Sequence, residues 1–197
     1  MGTRGGIREG RVRIIGGAYR RTPISVVPVP GLRPTPDRVR ETVFNWLEHL
    51  LGDFAALDAL DLFAGSGALG FEMASRGARR VLLVDSHPRA VEAMQKLRER
   101  LGASSVTVAQ ADWNSAANRE PAASFDVIFL DPPFDAGVLP RALDAAARLL
   151  KPAGLLYVES ATPLDDSEDG LAARRGLTLE RSGRAGMVYF HLLRAPS

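Results

Sequence analysis

The chain has 197 residues, 46% hydrophobic and 24% charged, enough for one medium-sized α/β domain with a short extension and too few for two full domains. It holds no cysteine, which excludes disulfides and thiolate metal sites; it also has no apolar leader and no run near the ~20 residues of a membrane span, so the expected compartment is the cytoplasm. The net charge of +2 is unevenly spread, because residues 1–40 carry nine arginines against Glu9 and Asp37 (a net of +7) and the remainder carries −5.

Residues 1–10 are rich in Gly and Arg and are expected to be disordered. RVRIIGG (11–17) and TPISVV (22–27) are short strand-like runs separated by a turn, which predicts a hairpin. VPVPGLRPTP (27–36) reads as an extended linker, after which Thr35 or Asp37 is expected to cap a helix reaching residue 51, with Val39, Val43, Phe44 and Leu47 at helical spacing. Residues 11–51 thus form a basic extension to a main domain over 52–197.

Within that domain the pattern is strand, loop, helix, repeated. ALDALDLFA (56–64), VLLVD (81–85), VTVAQAD (106–112), DVIFLDPPF (126–134) and GLLYVES (154–160) read as buried strands. Helices are predicted over 68–76, 88–101 and 139–150, and such alternation indicates a parallel, doubly wound sheet. GLTLERS (176–182) and GMVYFHLL (186–193), separated by Gly183, Arg184 and Ala185, predict an antiparallel hairpin at the sheet edge.

DLFAGSGALG (61–70) sets three glycines between a strand and a helix, where Gly65 and Gly67 let the backbone turn sharply and approach a ligand. Gly65, Gly67 and Gly70 alone also fit a dinucleotide fingerprint. Asp61 tilts the reading, because a carboxylate there suits a cationic sulfonium or amino-acid moiety and disfavours a pyrophosphate. Acids also end the next two strands. Asp85 is placed to accept from ribose hydroxyls. Asp112 is either an acceptor for an adenine amino group, with Trp113 or a nearby apolar residue over the ring, or a helix N-cap; both readings stay open.

Asp131-Pro132-Pro133-Phe134 ends the fourth strand, beside the expected crevice. The two prolines fix φ and remove two backbone donors, leaving their carbonyls as acceptors. Asp131 and the Pro132 carbonyl form an acceptor pair for an NH2 group, and Phe134 offers a face on which a base stacks. That set suits methyl transfer to the exocyclic amine of a base, needs no metal, and gains chiefly from positioning. The arginines at the start suit phosphate contact, since guanidinium groups bind phosphate oxygens bidentately. The body has only Lys96 and Lys151 as lysines, so part of the arginine excess is compositional.

DLFAGSGALG, Asp85 and DPPF together resemble the class I methyltransferases that act on nucleic-acid amino groups. RIIGG (13–17), GLRPTPDRVRETVFNWL (31–47) and YVES (157–160) narrow the resemblance to the bacterial RsmD-type small-subunit ribosomal RNA guanine-N2 methyltransferases, over about residues 11–193. The resemblance implies a Rossmann-like, seven-stranded, mostly parallel sheet with a C-terminal antiparallel hairpin and a small N-terminal hairpin-and-helix extension. It implies S-adenosylmethionine bound by Asp61, Gly65, Ser66, Gly67, Asp85 and Asp112, with Phe63 and Trp113 beside them. It places the target guanine of 16S ribosomal RNA, free or in a small-subunit assembly intermediate, against Asp131, Pro132, Pro133 and Phe134. Arg11, Arg13, Arg20, Arg21, Arg33, Arg38 and Arg40 are expected to grip the RNA backbone, with Arg33 and Arg38 alternatively covering the cofactor. A monomer is expected. Phe134 stands where the family often has Tyr, Pro36 where it often has Thr or Ser, and the loop at 116–124 is shorter.

An adenine-N6 methyltransferase is the first alternative, because Asp131 alone leaves the base open, but the chain has no spare length for the target-recognition region of a DNA enzyme. An NAD-binding oxidoreductase would account for the glycines and Asp85, yet leaves DPPF unexplained and offers no Tyr-Lys pair. A catalytically silent RNA-binding factor would need neither motif.

Overall fold

The computed structural model describes residues 12–27, 35–134, 137–164 and 170–197. The expected disorder of 1–10, most of the 27–36 linker, Arg11 and Arg33 lie outside these residues.

The elements, in chain order, are β1 (Val12–Arg13), β2 (Pro23–Ile24), α1 (Asp37–Leu51), β3 (Asp58–Asp61), α2 (Ala68–Ser75), β4 (Arg80–Asp85), α3 (Pro88–Leu101), β5 (Val106–Gln110), α4 (Trp113–Arg119), β6 (Phe125–Leu130), α5 (Val138–Leu149), β7 (Leu150–Ser160), a 3-10 turn (Ala173–Arg175), β8 (Thr178–Ala185) and β9 (Val188–Arg194). Seven strands form one sheet in the order β5-β4-β3-β6-β7-β9-β8. β3 pairs in parallel with β4 and β6, whereas β9 runs antiparallel to both β7 and β8. This is the mostly parallel Rossmann-like sheet with a C-terminal hairpin.

Two apolar layers sandwich the sheet. On one face α1, α2, α3 and the N-terminal hairpin share a core that includes Val43, Phe44, Phe71, Met94 and Phe129. On the other, α4 and α5 pack Ala117, Leu143, Ala146 and Leu149 against Leu60, Ile128 and Leu156. All eight residues of α2 are buried, and its approach to the sheet depends on Gly70, where a Cβ would fall 2.0 Å from Leu83. α3 starts with Pro88, whose missing N–H costs nothing in a first turn, and stops at Gly102 in the left-handed conformation.

Local details depart from the sequence expectations. Neither Thr35 nor Asp37 caps α1: Pro36 holds the cap position, Thr35 turns inward, and Asp37 is the first helical residue. The terminal hairpin turns at Gly186 and Met187, while Gly183, Arg184 and Ala185 belong to β8; Gly186 supplies the positive φ of +61°. Residues 113–119 form a short helix capped by Asp112, and its second half enters the 116–124 stretch read as loop.

Among the described residues the N-terminal hairpin pairs Val12 with Ile24 and Arg13 with Pro23, with Ile14 N donating to Thr22 O (3.0 Å) beyond them, too little to stand alone. It is held by α2. The Glu72 carboxylate, fully buried, accepts from the backbone N–H of Ile15 (2.7 Å) and Gly16 (2.8 Å) and from Arg76 Nε (2.9 Å). Ser75 continues the contact, its backbone carbonyl accepting from Ala18 N (2.7 Å) and its hydroxyl from Tyr19 N (2.9 Å). Gly17 lies against that carbonyl with φ +71°, and a Cβ there would sit 1.8 Å from it. RIIGG is therefore a docking sequence.

Arg40 belongs to this joint, which corrects its assignment to the RNA-facing set. Its side chain is fully buried; it donates to Arg13 O (2.8 Å), Thr35 O (3.3 Å) and Asp37 Oδ1 (2.6 Å), and lies 3.8 Å from Glu72. A buried guanidinium has no face to offer a phosphate, and burying it is tolerable only because Asp37 and Glu72 surround it. Arg40→Ala should lower unfolding free energy by about 3–5 kcal/mol, the cost of leaving a buried charge network broken, read from the urea midpoint. The salt dependence of RNA binding should not change.

Candidate functional site

The glycine turn and the DPPF turn leave neighbouring parallel strands at the same edge. Asp61 pairs in register with Phe129 on one side and Leu83 on the other, so Gly65, Asp85 and Asp131 follow three adjacent strand ends. One crevice can hold a cofactor on the first turn and a substrate against the second. That is the topological place where open α/β sheets bind ligands.

Gly65 and Gly67 have φ of +52° and +78°, the left-handed region that glycine enters without strain. A Cβ on Gly67 would come 2.8 Å from the Phe71 ring, so the turn is both conformationally and sterically reserved for glycine. Asp85 has a role that its spacing did not reveal. Its Oδ2 accepts from Gly65 N (2.8 Å) and its Oδ1 from His87 N (2.7 Å), clamping the glycine turn to the start of α3. Each oxygen keeps a further lone pair for an incoming hydroxyl.

Asp112 is a helix N-cap: Oδ1 accepts from Asn114 N and Ser115 N, both at 3.1 Å. Capping uses Oδ1 alone and leaves Oδ2 to a ligand, so capping and ligand contact are compatible. Phe63 and Trp113 pack together with ring centroids 5.7 Å apart, and Arg141 lies over Trp113 at 5.6 Å. Ser66 reaches a second opening, a cleft of about 320 Å³ between β2 and α3 lined by Ile24, Arg89, Lys96 and Arg100. Of the residues lining that cleft, Ser66 is the one that belongs to the glycine turn.

Beneath the crevice lie three carboxylates. Asp61 is buried and its pKa is pushed up to about 7, chiefly by burial, then by Asp85 and Glu159; backbone N–H groups of Phe63 and Gly70 act against the rise. Burial raises Asp131 well above the carboxylate range, reinforced by Glu159 and Asp61. Glu159 is also raised by burial, although Thr35 Oγ1 (2.7 Å) and Tyr157 OH (2.8 Å) donate to its Oε1. Among the described residues none of the three forms an ion pair. Burial disfavours the ionised form of all three acids in the free protein, so the charge they can develop is favoured by a positive ligand, and a sulfonium with an adjacent ammonium is one.

Pro132 is buried, Asp131 half-buried, Pro133 exposed, and Phe134 is 54% exposed with its ring free. Glu159 and Thr35 were missed as site residues. The signal was present, since YVES ends the strand after DPPF in an acid and RPT precedes α1, but nothing in the sequence joined residues 124 positions apart. Of the arginines expected at RNA, Arg13, Arg20, Arg21 and Arg38 are exposed, and Arg13 pairs with Asp37 at 3.1 Å.

A family model described as conserved hypothetical protein 95 matches residues 12–192. The ribosomal RNA small subunit methyltransferase D of Haemophilus influenzae is 35% identical over 191 residues, covering 93% of this chain and 94% of that protein. The protein of the same description from Escherichia coli is 36% identical over 187 residues, covering 93% and 90%. Among solved structures, the yhhF protein of Escherichia coli superposes with a TM-score of 0.78 at 34% identity, over 95% of this chain and 99% of that one. With the class I methyltransferase fold and both strand-end turns in place, the chain belongs to the conserved hypothetical protein 95 family, to which it is matched over nearly its whole length.

Proposed function

We propose that this protein transfers a methyl group from S-adenosylmethionine to the exocyclic N2 amine of a guanine in small-subunit ribosomal RNA. The observation that carries the reading is the shared edge of β3 and β6, which sets the glycine turn beside an acceptor-lined, aromatic-ended turn over a carboxylate cluster. The similarity to ribosomal RNA small subunit methyltransferases D supports the substrate class.

S-adenosylmethionine supplies an electrophilic methyl group on a positively charged sulfur. Asp61 would offer that charge a counter-ion, the backbone of Gly65, Ser66 and Gly67 would let the cofactor approach closely, Asp85 would accept from ribose hydroxyls, and Phe63, Asp112 and Trp113 would hold the adenine. Asp131 Oδ and the Pro132 carbonyl accept from the two amine protons of guanine. Those bonds would draw the nitrogen lone pair out of conjugation with the ring and free it to attack the methyl group, and Asp131, once ionised, would take the proton that the amine gives up as the sulfur leaves neutral. Pro133 keeps the turn rigid and Phe134 stacks on the base. Burial makes the ionised form of Asp131 expensive in the free protein, and a nearby cation lowers that cost. Binding the positively charged cofactor thus prepares the acceptor that the amine needs.

Asp131→Asn should reduce methyl transfer to ribosomal RNA at least a hundredfold while S-adenosylmethionine affinity stays within about threefold, measured by single-turnover transfer and calorimetry. Equal losses in both would remove Asp131 from the substrate side.

Asp61 also sets a pH dependence. Its folded pKa, about 7, lies above its ordinary value of 3.8, so the folded protein holds an extra proton between these values. Its contribution to stability is full below about pH 4 and is lost as pH rises through 7. Cofactor affinity should run the other way, strengthening from pH 6 to 8 as Asp61 ionises. Asp61→Asn should weaken binding and flatten that profile, which titrations at several pH values will read.

Removing the whole hairpin would expose the core under Ile14, so the RNA contact is better tested on exposed side chains. Arg20→Ala combined with Arg21→Asn should weaken RNA binding and reduce the salt-dependence slope by about one to two units, with cofactor affinity unchanged. Asn suits position 21 because Arg21 has φ +69°. An unaltered slope would take the hairpin out of the RNA interface.

A further inference from the structure

The tip of the β8–β9 hairpin holds none of the residues assigned above to cofactor or guanine, yet it stands at the reacting edge of the sheet. Leu130, Val158 and His191 form one row across β6, β7 and β9. DPPF leaves that row from β6. Because β9 runs antiparallel, Met187 lies four residues beyond the row on the same side, about 13 Å above it at the usual strand rise, and two strands from β6, about 10 Å sideways. The tip is therefore a post beside the turn that ends in Phe134.

Met187 is 78% exposed, and Phe134, at 54%, is the other exposed large apolar side chain among the described residues. A lone exposed apolar residue is commonplace, so position and support carry the weight. The support is extensive. The Arg184 guanidinium lies 5.1 Å over the Tyr189 ring and its Nε donates to the Gly186 carbonyl (2.9 Å), which ties down the turn. Phe190 packs on Gly183, where a Cβ would fall 2.3 Å from the ring, and Trp46 of α1 stacks on Phe190 at 5.6 Å. A thioether is thus held in solvent on a braced arm.

A guanine drawn from folded RNA to the Asp131 turn leaves a gap in its stack, and unstacking costs a few kcal/mol. Apolar wedges, Met among them, fill such gaps where proteins distort nucleic acids, and an unbranched side chain adapts to an irregular gap. Resting on the base-methylation reading above, we propose that Met187 is an extrusion wedge that occupies the space vacated by the target guanine, with Arg184 offering its remaining donors to the neighbouring phosphate.

The test uses the full chain and a small-subunit ribosomal RNA fragment with 2-aminopurine in place of the guanine found methylated by modification mapping. Binding should brighten 2-aminopurine as it leaves the stack. Met187→Ala should suppress that brightening and, on the same folded fragment with its guanine restored, cut the single-turnover rate about tenfold, the low end of the loss for one stacking contact. Transfer to an unstructured guanine oligoribonucleotide should not change, nor should cofactor affinity or melting temperature, and Met187→Leu should restore most of the loss. Wild-type brightening by Met187→Ala would overturn the wedge, as would equal losses on folded and unstructured RNA. A defect confined to protein-bound subunits, with naked RNA unaffected, would place a ribosomal protein at the tip and also overturn it. Brightening that depends on Met187 in a protein that transfers no methyl would leave the wedge standing and defeat the methylation reading instead.

Discussion

The site depends on β3 lying between two parallel neighbours. That pairing brings the ends of β4, β3 and β6 to one edge and sets Asp85, the glycine turn and Asp131 side by side. It also drives Asp61 into the sheet, where a carboxylate loses its hydration and feels the charge of Glu159, as Asp131 feels that of both. A fold selected for stability alone would not place three acids there. The arrangement makes sense as a demand for positive charge, and the surrounding apolar layers offset what it costs.

The N-terminal extension is part of that machinery rather than an appended arm. α2 carries the cofactor turn at its start and the Glu72–Ser75 dock for the hairpin near its end, so eight residues connect the N-terminal strand pair to the ligand crevice. Thr35 reaches Glu159 beneath the reacting turn, and Trp46 braces the terminal hairpin. Three contacts of long sequence separation thus tie the extension to both halves of the site. The arginines divide accordingly: Arg40 is consumed in the joint, whereas Arg20 and Arg21 stay at the surface.

Much of this was written in local patterns. Continuous apolar runs marked the buried strands, i to i+4 spacing marked α1 and α3, and glycines bounded the turns, because these signals depend on neighbours close in sequence. The terminal hairpin was recognisable, but its turn was misplaced by a few residues: the Gly-Arg-Ala segment that separates the apolar runs continues the ladder as far as Ala185, and pairing with β9 decides where it ends. Asp112 remained open between two roles because an N-cap and a ligand acceptor ask for the same residue at the same strand end.

The sequence by itself determined the order of elements, the doubly wound sheet, the glycine turn and the rigid DPPF turn, all of them consequences of backbone preference and periodicity over a few residues. Only the tertiary structure decided that Arg40 is a buried strut, that Asp85 clamps the glycine turn, that Glu72 docks RIIGG, and that Glu159 and Thr35 join the acidic crevice. Those roles arise from burial and from hydrogen bonds between residues 20 to 124 positions apart, and a charged side chain has no meaning as strut, clamp or ligand until its dielectric surroundings and partners exist.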